Sequence, residues 1–187
     1  MTLVAANFRV RYRDVFHFKN LYKMVHDWLV DEDYGSDHDR LWNETFYFDS
    51  LKERGQEVWI WWRCQREYLG NQYWRRQIDI DFHVRYLREI EVMHKGKKIK
   101  TNWGEIEIWI YSRLKTDVGD KWKKHWLLKH LNEFFWKRMN YKQFELHKFE
   151  VYRDAYNLQH AIKRFLKLQS RQPPEKTFWP ELGVGNE

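Results

Sequence analysis

Residues 74–86, WRRQIDIDFHVRY, alternate between apolar and polar side chains: Trp74, Ile78, Ile80, Phe82, Val84 and Tyr86 point one way, and Arg75, Gln77, Asp79, Asp81, His83 and Arg85 the other. A period of two places residues on opposite faces of a strand, so this stretch demands a sheet with one apolar face and a cover for it. The same period runs through NFRVRYR, where Phe8, Val10 and Tyr12 oppose Asn7, Arg9, Arg11 and Arg13, and through LWNETFYFD and EVWIWWRCQREYL. It ends in GEIEIWIYSRL, with Ile106, Ile108 and Ile110 inward, while EIEVMHKGKKIK reads as two strand ends around a turn at Gly96. Short links between such runs predict an antiparallel meander.

Two regions carry the helical period instead. Phe18, Leu21, Tyr22, Val25, Trp28 and Leu29 form one stripe, with Asp14 placed to cap it and DEDYGSDHD to end it. After Asp117 the period stays helical: Leu127, Leu128, Leu131, Phe134, Phe135 and Met139 form one stripe, and Phe144, Val151, Ala155, Leu158, Ile162, Phe165 and Leu166 another. These stripes predict helices over 119–139 and 143–169, one or two in number, followed by a tail at 171–187 in which proline stops the helix. The expected fold class is α+β: a curved antiparallel sheet of about five or six strands, packed on an N-terminal helix and C-terminal helices within a single domain over 1–170. This order of elements over residues 7–168 resembles the helix-grip arrangement, in which a curved sheet wraps a long C-terminal helix, and is similar to the layout of small uncharacterised archaeal proteins. The resemblance implies a fold and no particular activity.

Charge and cysteine usage narrow the setting. Charged residues make up 33% of the chain and no apolar run is long enough to span a membrane. The first residues show no basic-then-apolar signal pattern, and a single cysteine suits a reducing compartment, so a cytoplasmic location is expected. The net charge of +7 is unevenly spread: residues 119–172 hold 13 Lys and Arg against 5 Asp and Glu. That points to an anionic partner for the C-terminal helices: RNA, an anionic membrane surface or an acidic protein.

The chain holds 12 tryptophans, and two groups of them break the simple inside–outside pattern. In the strand at 57–68, Val58, Ile60, Trp62 and Cys64 share one face, and Trp59 and Trp61 share the other with Arg63, Gln65 and Glu67. Periodicity does not say which face is buried. On the helix at 121–139, Trp122, Trp126 and Trp136 lie roughly opposite the core stripe, interleaved with Lys129 and Lys137, and form a candidate partner surface. A second candidate is an apolar groove between sheet and helix, lined by Trp62, Phe82 and Phe165 and suited to an apolar small ligand.

Nothing in the sequence carries a catalytic motif. There is no glycine-rich phosphate loop, no Gly-x-Ser-x-Gly and no His-Glu-x-x-His. Asp37, His38 and Asp39 read as a solvated loop, His83 as part of a solvent-facing charge ladder, and Cys64 as a buried inert thiol. No catalytic, cofactor or metal residues are assigned. The expected function is a non-enzymatic binding or interaction module; RNA or polyanion binding and a homo-oligomeric assembly are the alternatives.

Overall fold

The alternation over residues 74–86 lies within the longest strand of the sheet. The computed structural model describes residues 2–36, 42–68, 71–94, 97–116, 124, 126 and 141–168. They form β1 (Thr2–Phe16), α1 (Phe18–Asp31), β2 (Glu44–Lys52), β3 (Gly55–Tyr68), β4 (Asn71–His94), β5 (Lys97–Thr116) and α2 (Tyr141–Phe165). The strands make an open sheet in the order β1-β5-β4-β3-β2, antiparallel throughout, and the two helices pack against it. The fold is α+β, as the two hydrophobic periods require. Because β1 and β2 are opposite edges, the connection through α1 must cross the sheet, and it does so over the apolar face. Among the described residues, no helix is long and apolar enough to cross a membrane.

Register builds the core. Val58, Ile60, Trp62 and Cys64 of β3 stand opposite Val84, Phe82, Ile80 and Ile78 of β4. Val84, Phe82 and Ile80 in turn stand opposite Ile106, Ile108 and Ile110 of β5. All are buried, so the ambiguous strand turns Trp62 inward and Trp59 and Trp61 outward. Leu21, Val25 and Leu29 from α1 and Ala155, Leu158 and Ile162 from α2 close over this layer. Trp62 is its centre: Tyr22, Trp42 and Phe82 meet it edge-on with ring centroids 4.8, 5.0 and 5.0 Å away. Its indole N–H donates to Glu44 Oε2 at 2.9 Å, and the same oxygen accepts from the Tyr22 hydroxyl at 3.0 Å.

Three local expectations are corrected. Asp14 lies inside β1 and accepts from the next backbone N–H, that of Val15, at 2.8 Å; the N-cap of α1 is His17, whose Nδ1 accepts from the Asn20 N–H. Tyr86 does not continue the inner row of β4: the register shifts between Arg85 and Arg88, Tyr86 is exposed, and Leu87 takes the buried position. Helix α2 stops before any proline. Leu168 N–H bonds to the Lys163 carbonyl and Lys167 N–H to that of Arg164, with Lys167 at φ 54°. The end of α1 repeats this arrangement with Asp33 at φ 59°, so both helices close with left-handed residues other than glycine.

Phe82 is wholly buried and in contact with Trp62, so Phe82→Ala should lower stability by about 3–5 kcal/mol in urea unfolding. Leu51→Ala, at a side chain 85% exposed, should stay within about 0.5 kcal/mol of the parent.

Candidate functional site

The face of the sheet away from the helices carries the unusual chemistry. Register sets Phe48, Trp59, His83, Glu107 and Arg11 in one row across all five strands, and Phe46, Trp61, Asp81, Trp109 and Arg9 in the next. Trp59 stacks on His83 with centroids 3.5 Å apart, and His83 lies within 12° of parallel to Trp109. Arginines stand over the rings: Arg9 over Trp109, Arg63 over Trp61, Arg113 over Tyr111 and Arg13 over Trp103, each 5.5–5.8 Å from the centroid.

Charge on this face is layered by depth. The side chains of Asp79, Glu105 and Glu107 are only 2–6% exposed, whereas those of Arg9 and Arg11 are 58% and 60% exposed. Arg113 pairs with Asp79, Arg9 with Glu107, Arg63 with Asp81 at 2.6 Å, and both Arg11 and Arg85 with Glu105. Carboxylates thus form a lower layer and guanidinium groups the surface above them. This corrects the solvent-facing ladder expected of the odd-numbered β4 residues. Asp79 and His83 are buried because long arginine and tryptophan side chains from β3 and β5 close over them, and Asp81 is half-buried. His83 Nε2 hydrogen-bonds Glu57 Oε1 at 2.8 Å. Donors from Lys52 first and then His83 hold the Glu57 carboxyl down at about 2.

The ordered rows break at the bulge of β4. Tyr86 sits at φ 58°, a strained setting for a bulky side chain, and two glycines make room for the distorted backbone. Gly55, at φ 130°, lies so close that a Cβ there would be 2.8 Å from the Tyr86 carbonyl carbon. On the other flank, a Cβ at Gly104 would be 3.0 Å from the Arg85 oxygen and 3.2 Å from Leu87 Cα. The outcome is a depression of about 480 Å³ lined by Arg11, Arg13, Arg54, Arg85, Arg88, Tyr86, Trp103 and Glu105. Five arginines and one glutamate line it. Burial alone would raise Glu105, but the hydrogen bond from Arg11 and the charges of Arg85, Arg11 and Arg13 outweigh it and hold the group below its ordinary value. Arg88 Nε donates to the Arg54 carbonyl at 2.7 Å and ties the β2–β3 turn to the rim. Among the described residues, no carboxylate pairs with Arg13, Arg54 or Arg88.

A second polar cluster lies on the helix side. Arg76 reaches Glu150 and, at 3.4 Å, Asp154; the Tyr34 hydroxyl donates to Asp154 at 2.8 Å. His147 Nδ1 lies 3.3 Å from Glu150. Burial first, and then the Asp154 charge, pushes the Tyr34 hydroxyl well above its usual range. These bonds clasp α2 to β4 and to the turn after α1.

Trp62 and Phe82 are wholly buried in mutual contact, while Phe165 packs at the margin of the same core. Trp126 is 78% exposed; Trp122, Lys129, Trp136 and Lys137 lie outside the described residues, as do His38 and its neighbours Asp37 and Asp39. Cys64 is buried, and burial pushes its thiol up to about 12, beyond thiolate chemistry at neutral pH. Among the described residues, no three His, Cys, Asp or Glu side chains are grouped to hold a metal ion. The arginine depression was missed, although two signals for it stand in the sequence. Glycine interrupts the strand patterns at Gly55 and Gly104, and the β4 alternation slips at Tyr86–Leu87.

The chain matches no protein-family model and none of the curated proteins. Among solved structures, one similar chain is a putative uncharacterized protein from Rhizobium leguminosarum, at 6% identity and a TM-score of 0.22 over 90% of this chain and 98% of that one. A likeness of that size lends weight to neither fold nor function.

Two measurements check this geometry. Gly55→Ala combines a left-handed φ with contact against the Tyr86 backbone and should cost about 1–3 kcal/mol in urea unfolding. Glu57 titrates lower in the folded protein than its ordinary 4.5, so its stabilising contribution is complete above pH 4.5 and is lost as pH falls towards 2. Replacing Glu57 with Gln should therefore flatten the stability–pH curve in that window.

Proposed function

We propose that this chain is a non-enzymatic binding module for a polyanion, with the arginine-lined depression and the outer sheet face as its binding surface. The observation that carries this reading is the gathering of five arginines around one depression whose lining holds a single acidic residue. Guanidinium groups suit phosphate because they donate in a planar fork and remain charged at any physiological pH. Layering supports the same reading, since an approaching ligand meets arginine before it meets aspartate or glutamate. The basic–aromatic surface expected from the sequence around Trp126 would be a further contact area, and the 78% exposure of Trp126 favours it.

A second reading, self-association, rests on a different observation. Helix α2 exposes Leu146, Phe149, Tyr152 and Tyr156, side chains that a partner subunit would cover.

Elution from immobilised heparin tests the main reading. The double variant Arg13→Gln/Arg88→Gln should elute at lower salt, and the dependence of log K on log salt should lose about one unit of slope for each phosphate-contacting arginine removed. Lys19→Gln/Lys23→Gln on α1, on the opposite side of the sheet, should elute like the parent. Identical elution of all three proteins would remove the polyanion reading.

A further inference from the structure

We infer that the polyanion is a single-stranded nucleic acid, laid along the outer face with its bases against the indole rings and a phosphate in the arginine depression. This rests on the polyanion reading above and goes beyond it by naming the partner. A site for anions alone needs cations; it does not need a flat aromatic group beside each of them. Here Trp103 is paired with Arg13, Trp109 with Arg9, Tyr111 with Arg113 and Trp61 with Arg63. All four rings belong to the outer side of β3 and β5, and none lies in the core.

Spacing fits a polymer. Trp103 and Trp109 are six residues apart on one strand, about 20 Å at the rise of an antiparallel strand. The arginine depression surrounds Trp103 at one end of that row, and Arg9 stands at the other end over Trp109. A cationic track with stacking platforms at intervals is the arrangement by which sheets hold unpaired bases, whose ring faces are open. In a duplex those faces are already stacked on one another. The rings on β3 extend the platform sideways: Trp61 packs on Phe46 at 4.4 Å, and Trp59 on His83 at 3.5 Å. They are therefore held in place before any ligand arrives, which lowers the ordering cost of binding.

Binding of the full chain should be measured with a fluorescent oligonucleotide of about twelve unpaired nucleotides, the same sequence as a duplex, and inorganic polyphosphate. The expected result is tightest binding of the single strand, with quenching of tryptophan fluorescence. Trp103→Ala and Trp109→Ala should each weaken the oligonucleotide at least about fivefold and weaken polyphosphate by a clearly smaller factor. Trp103→Phe and Trp109→Phe, which keep a flat ring, should recover most of the loss and guard against a folding defect, checked by thermal melting. Equal affinity for all three probes, with alanine variants like the parent, would overturn this inference and leave the polyanion reading standing. If Arg13→Gln/Arg88→Gln binds every probe as the parent does, or no probe binds, both fall. Sedimentation showing a dimer that the tryptophan variants dissociate would assign the face to a second copy of the chain and overturn the inference. So would binding to anionic vesicles without binding to the oligonucleotide.

Discussion

Asp79, Glu105 and Glu107 lie under a roof of arginine and indole, and the rest of the sheet is built around keeping them there. A carboxylate removed from water loses several kcal/mol of hydration unless a cation and hydrogen bonds replace it. In the middle of an antiparallel sheet that replacement must come from the neighbouring strands. Arg9 and Arg11 on β1, Arg85 on β4 and Arg113 on β5 supply it, held in reach by unbroken register. The demand explains the composition. Long arginine stems and wide rings are needed to close the roof, so the outer face is rich in both. Removal of Arg9 or Arg113 would strand a buried carboxylate, a costlier change than removal of the pair.

The same demand explains where irregularity is allowed. Along strands of 24 and 20 residues, the pairing of β4 with β5 shifts register once, between Arg85 and Arg88. There Gly55 and Gly104 bracket the bulge, two of only eight glycines in the chain. Elsewhere the chain does without glycine even where it is usual, closing its helices with Asp33 and Lys167 in left-handed conformations. Gly55 and Gly104 stand where another backbone comes too close for a Cβ.

Period and sidedness were legible in the sequence; depth was not. The inner row of Ile78, Ile80, Phe82 and Val84, the stripe of Leu21, Val25 and Leu29 and the α+β class all follow from hydrophobic spacing, and each is found buried or built as expected. Alternation says only that Asp79 and His83 lie opposite that row. Whether water reaches them depends on the length of side chains one strand away, which no local pattern contains. The same limit explains the cap. Asp14 has the right chemistry but lies in a strand that runs on to Phe16, and β1 runs on because β5 is there to pair with it. The arginine depression joins residues from β1, β4, β5 and the β2–β3 turn, up to 94 positions apart in sequence where Arg11 meets Glu105. Only the register brings them together.

Register also decides which arginines are open to a ligand. Through the regular part of the sheet Asp79, Asp81, Glu105 and Glu107 each find a guanidinium partner. The bulge interrupts that matching. Past it, Arg88 stands opposite Trp103, a ring without charge, and Glu105 is already shared by Arg11 and Arg85. Arg13, Arg54 and Arg88 arrive at the same depression with no carboxylate of their own among the described residues. The backbone feature that ends the self-neutralising pattern therefore creates the surplus of positive charge. A strained residue, two glycines and an arginine cluster become one device, in which distortion of β4 turns a closed charge network into a surface with affinity to spare.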